Sequence, residues 1–127
     1  MELTANIKPE FVDDRGGITK ILDDGKTTIK SVLLITSKAG SVRSNHYHKK
    51  DAHWIYMISG SMEYYEKPVR GRSKTKKVIV HAGDLMYTPP MAVHAVKFLD
   101  DSVFIALSPR SRNQKAYEAD TTRVTLL

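Results

Sequence analysis

Residues 40–60, GSVRSNHYHKKDAHWIYMISG, hold three histidines between two glycines. Five residues separate Gly40 from the His46-x-His48 pair, four separate this pair from His53, and six more lead to Gly60. Side chains alternate between the two faces of a β-strand, so the imidazoles of His46 and His48 share one face. The stretch predicts two strands joined by a turn, with His53 at the start of the second strand.

Residues 83–98, GDLMYTPPMAVHAVKF, add a fourth histidine. Five residues separate Gly83 from Pro89, one residue separates Pro89 from Met91, and two residues separate Met91 from His94. His94 opens a predicted strand, and strand ends meet at the mouth of a β-barrel, where we expect the four imidazoles to converge. Neutral imidazole is the commonest metal ligand, so the set predicts a divalent transition metal with open coordination positions.

Each of these histidines, taken singly, also fits a structural role, and His-x-His pairs occur on exposed strands as well. His81 has no partner in the pattern, and we interpret it as a surface residue before the Ala82-Gly83 turn. The metal hypothesis therefore depends on the joint spacing of the four histidines.

Short apolar stretches separated by turns recur about every ten residues along the rest of the chain, and no long stretch has helical period. Regular short strands of this kind predict an all-β sandwich or barrel. Residues 111–120 are the one place where a helical turn is expected. The predicted strands are Ile18–Leu22, Thr28–Ser37, Val42–His48, Trp54–Ser59, Met62–Glu66, Val78–Val80, Leu85–Thr88, His94–Leu99, Val103–Leu107 and Arg123–Leu127, with a hairpin turn at Asp24-Gly25.

The composition is that of one globular domain. The chain has 127 residues, of which 41% are hydrophobic, enough to bury a core without disulfide or metal cross-links. The absence of cysteine excludes a disulfide scaffold, a thiolate metal site and a cysteine nucleophile. No apolar run reaches the roughly 18 residues of a membrane span, and no secretory signal pattern is visible, which favours a cytoplasmic protein.

The net charge of +6 comes from one segment. Residues 67–77 contain six of the 20 basic side chains and no acid, which leaves 14 basic residues against 14 acids elsewhere. We expect an exposed hairpin connection here. No aromatic residue interleaves with these charges, so nucleic acid binding is not favoured, and attraction of an anionic ligand is the sharper alternative.

The two histidine stretches resemble the motifs of the cupin superfamily, G-x5-H-x-H-x(3,4)-E-x6-G and G-x5-P-x-G-x2-H-x3-N. The resemblance implies an all-β fold, a single cupin-type jelly-roll β-barrel. Residues 1–39 would then form N-terminal strands, residues 40–60 and 83–98 the two motifs, and residues 108–127 a C-terminal extension. Three positions depart from the motifs: His53 replaces Glu, Met91 replaces Gly and Phe98 replaces Asn.

The resemblance implies a metal site formed by His46, His48, His53 and His94, with Zn, Ni, Fe or Mn as the ion. Because His53 replaces a carboxylate, a divalent ion on four imidazoles would keep its full charge, act as a stronger Lewis acid and favour anionic ligands. The alternative is that His53 points elsewhere and three ligands remain.

A second resemblance bears on the substrate. The segment Asp13-Asp14-Arg15-Gly16-Gly17, followed by Arg43-x-x-His46-Tyr47-His48-Lys49, is similar to nucleotide-sugar 3,4-ketoisomerases and 3,5-epimerases, and the Tyr117–Asp120 tail suits them too. The resemblance implies an isomerase or epimerase that abstracts a proton next to the carbonyl of a sugar or anionic nucleotide-sugar. The expected substrate-binding residues are Arg43, Arg15, Lys49 and Tyr87.

A histidine bound to metal cannot also be the general base, so another residue has to accept the proton. The candidates are Tyr47, Tyr56, Tyr64, Tyr87, Glu63 and a metal-bound hydroxide, and the sequence does not choose among them. Two other hypotheses stay open: an Fe(II)-dependent dioxygenase, and a non-catalytic sugar- or metal-binding protein. Small cupins commonly dimerise, and Trp54, Ile58 and the N-terminal strand are the candidates for a homodimer surface.

Overall fold

The computed structural model describes all residues, 1–127, and consists of two five-stranded antiparallel sheets, one hairpin and one helix. The elements are β1 (Glu2–Thr4), β2 (Phe11–Asp13), β3 (Gly16–Ile18), β4 (Ser31–Ser37), β5 (Val42–His48), β6 (His53–Ser59), β7 (Ser61–Pro68), β8 (Lys76–His81), β9 (Leu85–Thr88), β10 (Ala92–Phe98), β11 (Ser102–Ser108), α1 (Gln114–Asp120) and β12 (Thr121–Arg123). The first sheet has the order β1-β9-β6-β11-β4 and the second β12-β5-β10-β7-β8, while β2 and β3 form the hairpin. The all-β jelly-roll prediction is confirmed.

The hydrophobic core lies between the sheets and fills the end where β10 finishes and β11 begins. Phe98 and Phe104 stack across this turn with ring centroids 5.6 Å apart. Met57 and Met86 from the first sheet join Met62 and Val80 from the second, and all four are fully buried. The opposite end, where β5 finishes and β10 begins, carries histidines in place of core side chains.

A β-bulge in β5 changes which way the side chains just before His46 face. The pairing of β10 with β5 shifts between His94, which faces His46, and Ala95, which faces Ser44. Ser44 and Asn45 both have positive φ, 73° and 58°. The extra residue changes the alternation, so Arg43, three positions before His46, lines the same cavity as His46.

Several predicted strands match the structure, and the mismatches follow from turn chemistry. Val42–His48 and Leu85–Thr88 are confirmed at both ends, and the helix falls within residues 111–120 as expected. The predicted strand Ile18–Leu22 is wrong, because the chain pairs Phe11–Asp13 with Gly16–Ile18 instead.

Asp24-Gly25 does not form a hairpin. The Asp24 carboxylate accepts the backbone N–H groups of Lys26 and Thr27, which fixes a local turn without flanking strands. The last strand is Thr121–Arg123, earlier than predicted, because it pairs with the histidine end of β5. The one helix is too short to cross a membrane.

Candidate functional site

Three histidines converge between the two sheets. His46 and His48 extend from β5 and His94 from the neighbouring strand β10, where His94 and His46 are paired. One ring nitrogen from each lies within 4.8 Å of the other two. All three side chains are buried. The ring centroid of His46 lies 4.6 Å from that of His48 and 4.8 Å from that of His94. The sequence spacing therefore predicted a real cluster.

The hydrogen bonds of His94 and His48 set which ring nitrogen faces the cluster. His94 Nδ1 lies 2.9 Å from the Ala92 carbonyl oxygen, which can only accept, so Nδ1 carries the proton and Nε2 keeps its lone pair. His48 Nδ1 lies 3.2 Å from the Thr121 hydroxyl, which itself donates to the Tyr117 carbonyl oxygen. His48 Nδ1 therefore donates too, and its buried Nε2 has no partner.

An unpartnered buried nitrogen needs an explanation, and a metal ion supplies one. Histidine ligands usually donate their second ring N–H to a backbone or side-chain oxygen, as His94 and His48 do here. The donor set suits a divalent transition metal, so His46, His48 and His94 fit the metal that the sequence predicts.

Burial keeps the three imidazoles neutral. Desolvation, together with the smaller effect of the charges on the nearby histidines, lowers the pKa of His46 to about 3. Desolvation lowers the pKa of His94 to about 4 and also lowers that of His48. Metal binding requires the neutral ring, so the cluster is in its ligating form at neutral pH.

His53 lies beside this group but outside it. Its ring centroid is 4.9 Å from that of His48. Its Nε2 lies 3.5 Å from Asp51 Oδ2 but, like His48 Nε2, is buried without a hydrogen-bond partner. Asp51 is buried and held by the Ala52 N–H and by the Ser108 hydroxyl, which donates to Oδ1 at 2.6 Å. Burial lowers the pKa of His53 to about 4, while Asp51 opposes this shift. His53 as a fourth ligand stays a prediction.

Acid is expected to destabilise the metal-free protein between about pH 6.5 and pH 4. Unfolded histidines take up a proton near pH 6.5, whereas the folded pKa is about 3 for His46 and about 4 for His94. The unfolded chain binds more protons in this window, so the free energy of unfolding falls as pH falls, by up to about 1.4 kcal/mol per pH unit for each histidine. Urea unfolding across the window measures this loss.

His81 provides the control for the acid experiment because it is exposed. H81Q should keep the wild-type slope, and H46Q should flatten it. Equal stability of the wild-type protein at about pH 7 and about pH 5 would contradict the assignment of buried neutral histidines.

A cavity of about 180 Å³ lies beside the histidines, between the two sheets. Its apolar wall includes Leu33 and Ile55, and no acidic residue lines it. Arg43 lines it as well and bridges the sheets, since Nε donates to Ser37 Oγ at 2.6 Å and Nη2 donates to the Thr36 carbonyl oxygen at 3.0 Å. The cavity thus combines metal ligands, an apolar surface and a cation.

Tyr64 is the predicted catalytic residue that lies inside the sandwich. Its hydroxyl donates to Glu66 Oε1 at 2.7 Å and lies 2.7 Å from Thr88 Oγ1. Its ring lies nearly parallel to that of His94, with centroids 6.4 Å apart. Burial raises the pKa of the Tyr64 phenol, so the group stays protonated.

Tyr64 does not line the cavity, and the other tyrosines that the sequence predicts as catalytic or substrate-binding residues also lie outside it. Tyr47 lies between His46 and His48 and therefore on the opposite face of β5. Tyr56 lines a separate pocket with residues 19–22. The Tyr87 ring packs against that of Trp54 at an angle of 37°, with centroids 4.8 Å apart, next to β1.

The remaining charged candidates also lie away from the histidines. Glu63 forms an ion pair with Lys77 of the neighbouring strand. Lys77 belongs to β8 and not to the exposed connection, which spans residues 69–75. Arg15 pairs with Asp13 in the hairpin, and Lys49 is exposed in the β5–β6 turn. The structure brings none of these three to the cavity.

Two cavity residues escaped the sequence analysis as site residues. Arg112 and Tyr117 come from the C-terminal segment and stack on each other, with the guanidinium carbon 3.4 Å from the ring centroid. The Tyr117 ring lies 5.1 Å from that of His48. No motif marks Arg112, and its place depends on how α1 returns over β5.

Comparison with known proteins identifies the class. Residues 33–108 match the family described as "Cupin domain", which is more than half of the chain, so the chain belongs to the cupin family. Among curated proteins it is 30% identical over 105 residues to oxalate decarboxylase OxdC of Bacillus subtilis. The match covers 76% of this chain and 26% of OxdC, so the chain spans about a quarter of that relative.

Solved structures with the same fold include two sugar enzymes. The sugar 3,4-ketoisomerase QdtA from Thermoanaerobacterium thermosaccharolyticum, in complex with TDP, has a TM-score of 0.74 at 22% identity over 96% of this chain and 86% of its own. The 3'-monoepimerase ChmJ from Streptomyces bikiniensis, in complex with dTDP-quinovose, has a TM-score of 0.77 at 19% identity over 91% and 66%. At these identities the likeness establishes the fold.

Proposed function

We propose that the protein is a metal-dependent isomerase or epimerase that moves a proton next to the carbonyl group of a sugar, either free or nucleotide-linked. The observation that carries the proposal is the unpartnered His48 Nε2 beside His46 and His94. His46 and His94 line a cavity that also has two arginines and no acid. The names of QdtA and ChmJ support a sugar as the substrate class.

The three imidazoles would hold the metal without adding negative charge to it. When bound, a divalent ion supplies a Lewis acid that stabilises the negative charge on the substrate's carbonyl oxygen. His94 and His48 are already held in the tautomer that presents Nε2, so little reorganisation is needed on binding. Arg43 keeps donors free beyond its bonds to Ser37 and Thr36, and these donors can orient a substrate oxygen.

We assign the proton transfer to His53. Its ring lines the cavity, it stands outside the group of three, and Asp51 faces its Nε2. A carboxylate beside a histidine ring orients it and stabilises its protonated form. Tyr64 stays protonated and donates to Glu66, so it supports Thr88 at the cavity wall instead of accepting the substrate's proton.

Deuterium uptake tests this function. With TDP-4-keto-6-deoxyglucose, the ligand of a solved QdtA complex, the metal-loaded protein in D₂O is expected to place deuterium on the carbon next to the carbonyl, as followed by NMR. Chelation should abolish the uptake. H53Q should slow it by about a hundredfold or more, as expected for a lost acid–base group, with the metal content unchanged.

The alternative outcomes separate the possible roles. Loss of metal in H53Q would show that His53 is the fourth ligand that the sequence predicts. Exchange that is equally fast in the metal-free protein would assign the proton transfer to the clustered histidines themselves. No exchange in the loaded wild-type protein would contradict the proposed reaction on this substrate.

We also propose that the protein forms a homodimer through the outer face of the first sheet. Val32 and Leu34 on the edge strand β4 are 65% and 70% exposed, and Ile58 on β6 is 46% exposed. An apolar face of this kind favours contact with another surface.

Sedimentation equilibrium tests the dimer. The wild-type protein should give twice the mass of one chain, and the L34E variant should give the mass of one chain. L99E, in the β10–β11 turn, should remain dimeric, and a monomeric wild type would contradict the proposal.

A further inference from the structure

Arg112 lies at the edge of the histidine cavity in a fixed position. Its guanidinium stacks on Tyr117 at 3.4 Å, and Nη1 donates to Gln114 Oε1 at 3.1 Å. Both partners belong to α1. Stacking and hydrogen bonding together fix the plane of a guanidinium, so α1 holds Arg112 toward the cavity that it lines.

Most of the donors of Arg112 are free. A guanidinium has five N–H groups, and the bond to Gln114 uses one. Arg15 and Arg123 each pair with a carboxylate, whereas Arg112 has no ion pair. Arg43, the other arginine of the cavity, already donates to Ser37 and to the Thr36 carbonyl oxygen.

The nearby carboxylates are engaged elsewhere. Asp51 accepts from the Ala52 N–H and the Ser108 hydroxyl, and Asp120 accepts from the backbone N–H groups of Lys50 and Asp51. No acidic residue lines the cavity. The half-buried guanidinium of Arg112 therefore faces a cavity that offers it no anion of the protein's own.

We propose that Arg112 binds the acid group, a phosphate or a carboxylate, of a ligand whose remainder occupies the histidine cavity. The proposal rests on the proposed function and adds the position of the ligand's charge. A cavity of about 180 Å³ is close to the roughly 150 Å³ that holds benzene, so it takes one ring or a short chain, with the acid group at the edge. A guanidinium fork matches either acid group with two parallel hydrogen bonds.

NMR titration of the metal-free protein tests this inference without turnover, with inorganic phosphate and malonate as separate probes at low salt. R112Q is expected to weaken binding of at least one probe by about tenfold or more, since a charge-assisted bond is lost. The matched control is R110Q, because Arg110 is exposed, precedes Arg112 by two residues and carries the same charge. R110Q should bind nearly as well as the wild type.

The two probes distinguish the acid groups. If R112Q loses affinity for only one probe, the site takes that probe's acid group. If it loses affinity for both, the site takes either a phosphate or a carboxylate. Wild-type affinity in R112Q, equal loss in R110Q, or no binding by the wild type would overturn the proposal. Y117F should retain binding because the ring face remains, while Y117L should weaken it about threefold. Since neither metal nor substrate is present, failure of the isomerase reaction leaves this result unaffected.

Discussion

H48A is expected to weaken binding of a divalent ion by at least a hundredfold. His48 contributes the buried Nε2 that has no protein partner, and its Nδ1 is fixed by Thr121. Loss of an outer partner of a metal ligand already costs about 10–100-fold in affinity, so loss of the ligand itself costs more. Titration of the metal-free protein with Co²⁺, followed by visible absorption, measures the change.

Two further variants make the H48A result interpretable. H81A removes an exposed histidine that is not part of the cluster and should bind Co²⁺ like the wild type. H48Q keeps most of the buried volume and should lose the metal as H48A does, which separates ligand loss from damage to the fold. Unchanged affinity in both His48 variants would remove His48 from the site.

G60A is expected to destabilise the protein by about 3 kcal/mol or more, as a left-handed backbone strain and a steric clash add. A Cβ at Gly60 would lie 2.2 Å from Ser102 Oγ and 2.6 Å from the Asp101 carbonyl oxygen. The backbone atom cannot rotate away, and Ser102 is buried in β11. The turn between β6 and β7 therefore requires glycine for its space as well as its φ of +86°.

Gly40 gives a matched control for the clash. Its φ of +85° is nearly the same, but nothing lies within 4 Å of an added Cβ. G40A should therefore cost only the backbone strain, about 1 kcal/mol. Urea unfolding measures the free energy of unfolding of both variants, G40A with strain alone and G60A with strain plus clash. Equal losses of stability would contradict the close approach at Gly60.

The sequence predicted the parts of the fold that local pattern controls. The His-x-His spacing requires a strand, and Val42–His48 is that strand. The composition of Asp24-Gly25 predicts a hairpin turn, but the side chain of Asp24 satisfies the turn locally and no strands flank it. Pairing partners far along the chain, such as β12 with β5, leave no local signal.

The site divides in the same way. The spacing identified His46, His48 and His94, because alternation on neighbouring strands decides which face they share. Arg43 reaches the cavity through a bulge at Ser44 and Asn45, which strict alternation would not allow. Tyr56 and Tyr87 match a catalytic residue type but face outward from the first sheet, and Arg112 depends on the path of the C-terminal segment.

The most direct test of the central claim is the metal content of protein purified without an affinity tag, measured by elemental analysis alongside H46A, H48A and H94A. The account predicts about one divalent ion per wild-type chain and nearly none in the three variants, as expected for a site that needs all its ligands. A wild-type protein that holds no metal, even after incubation with Co²⁺ and gel filtration, would contradict it.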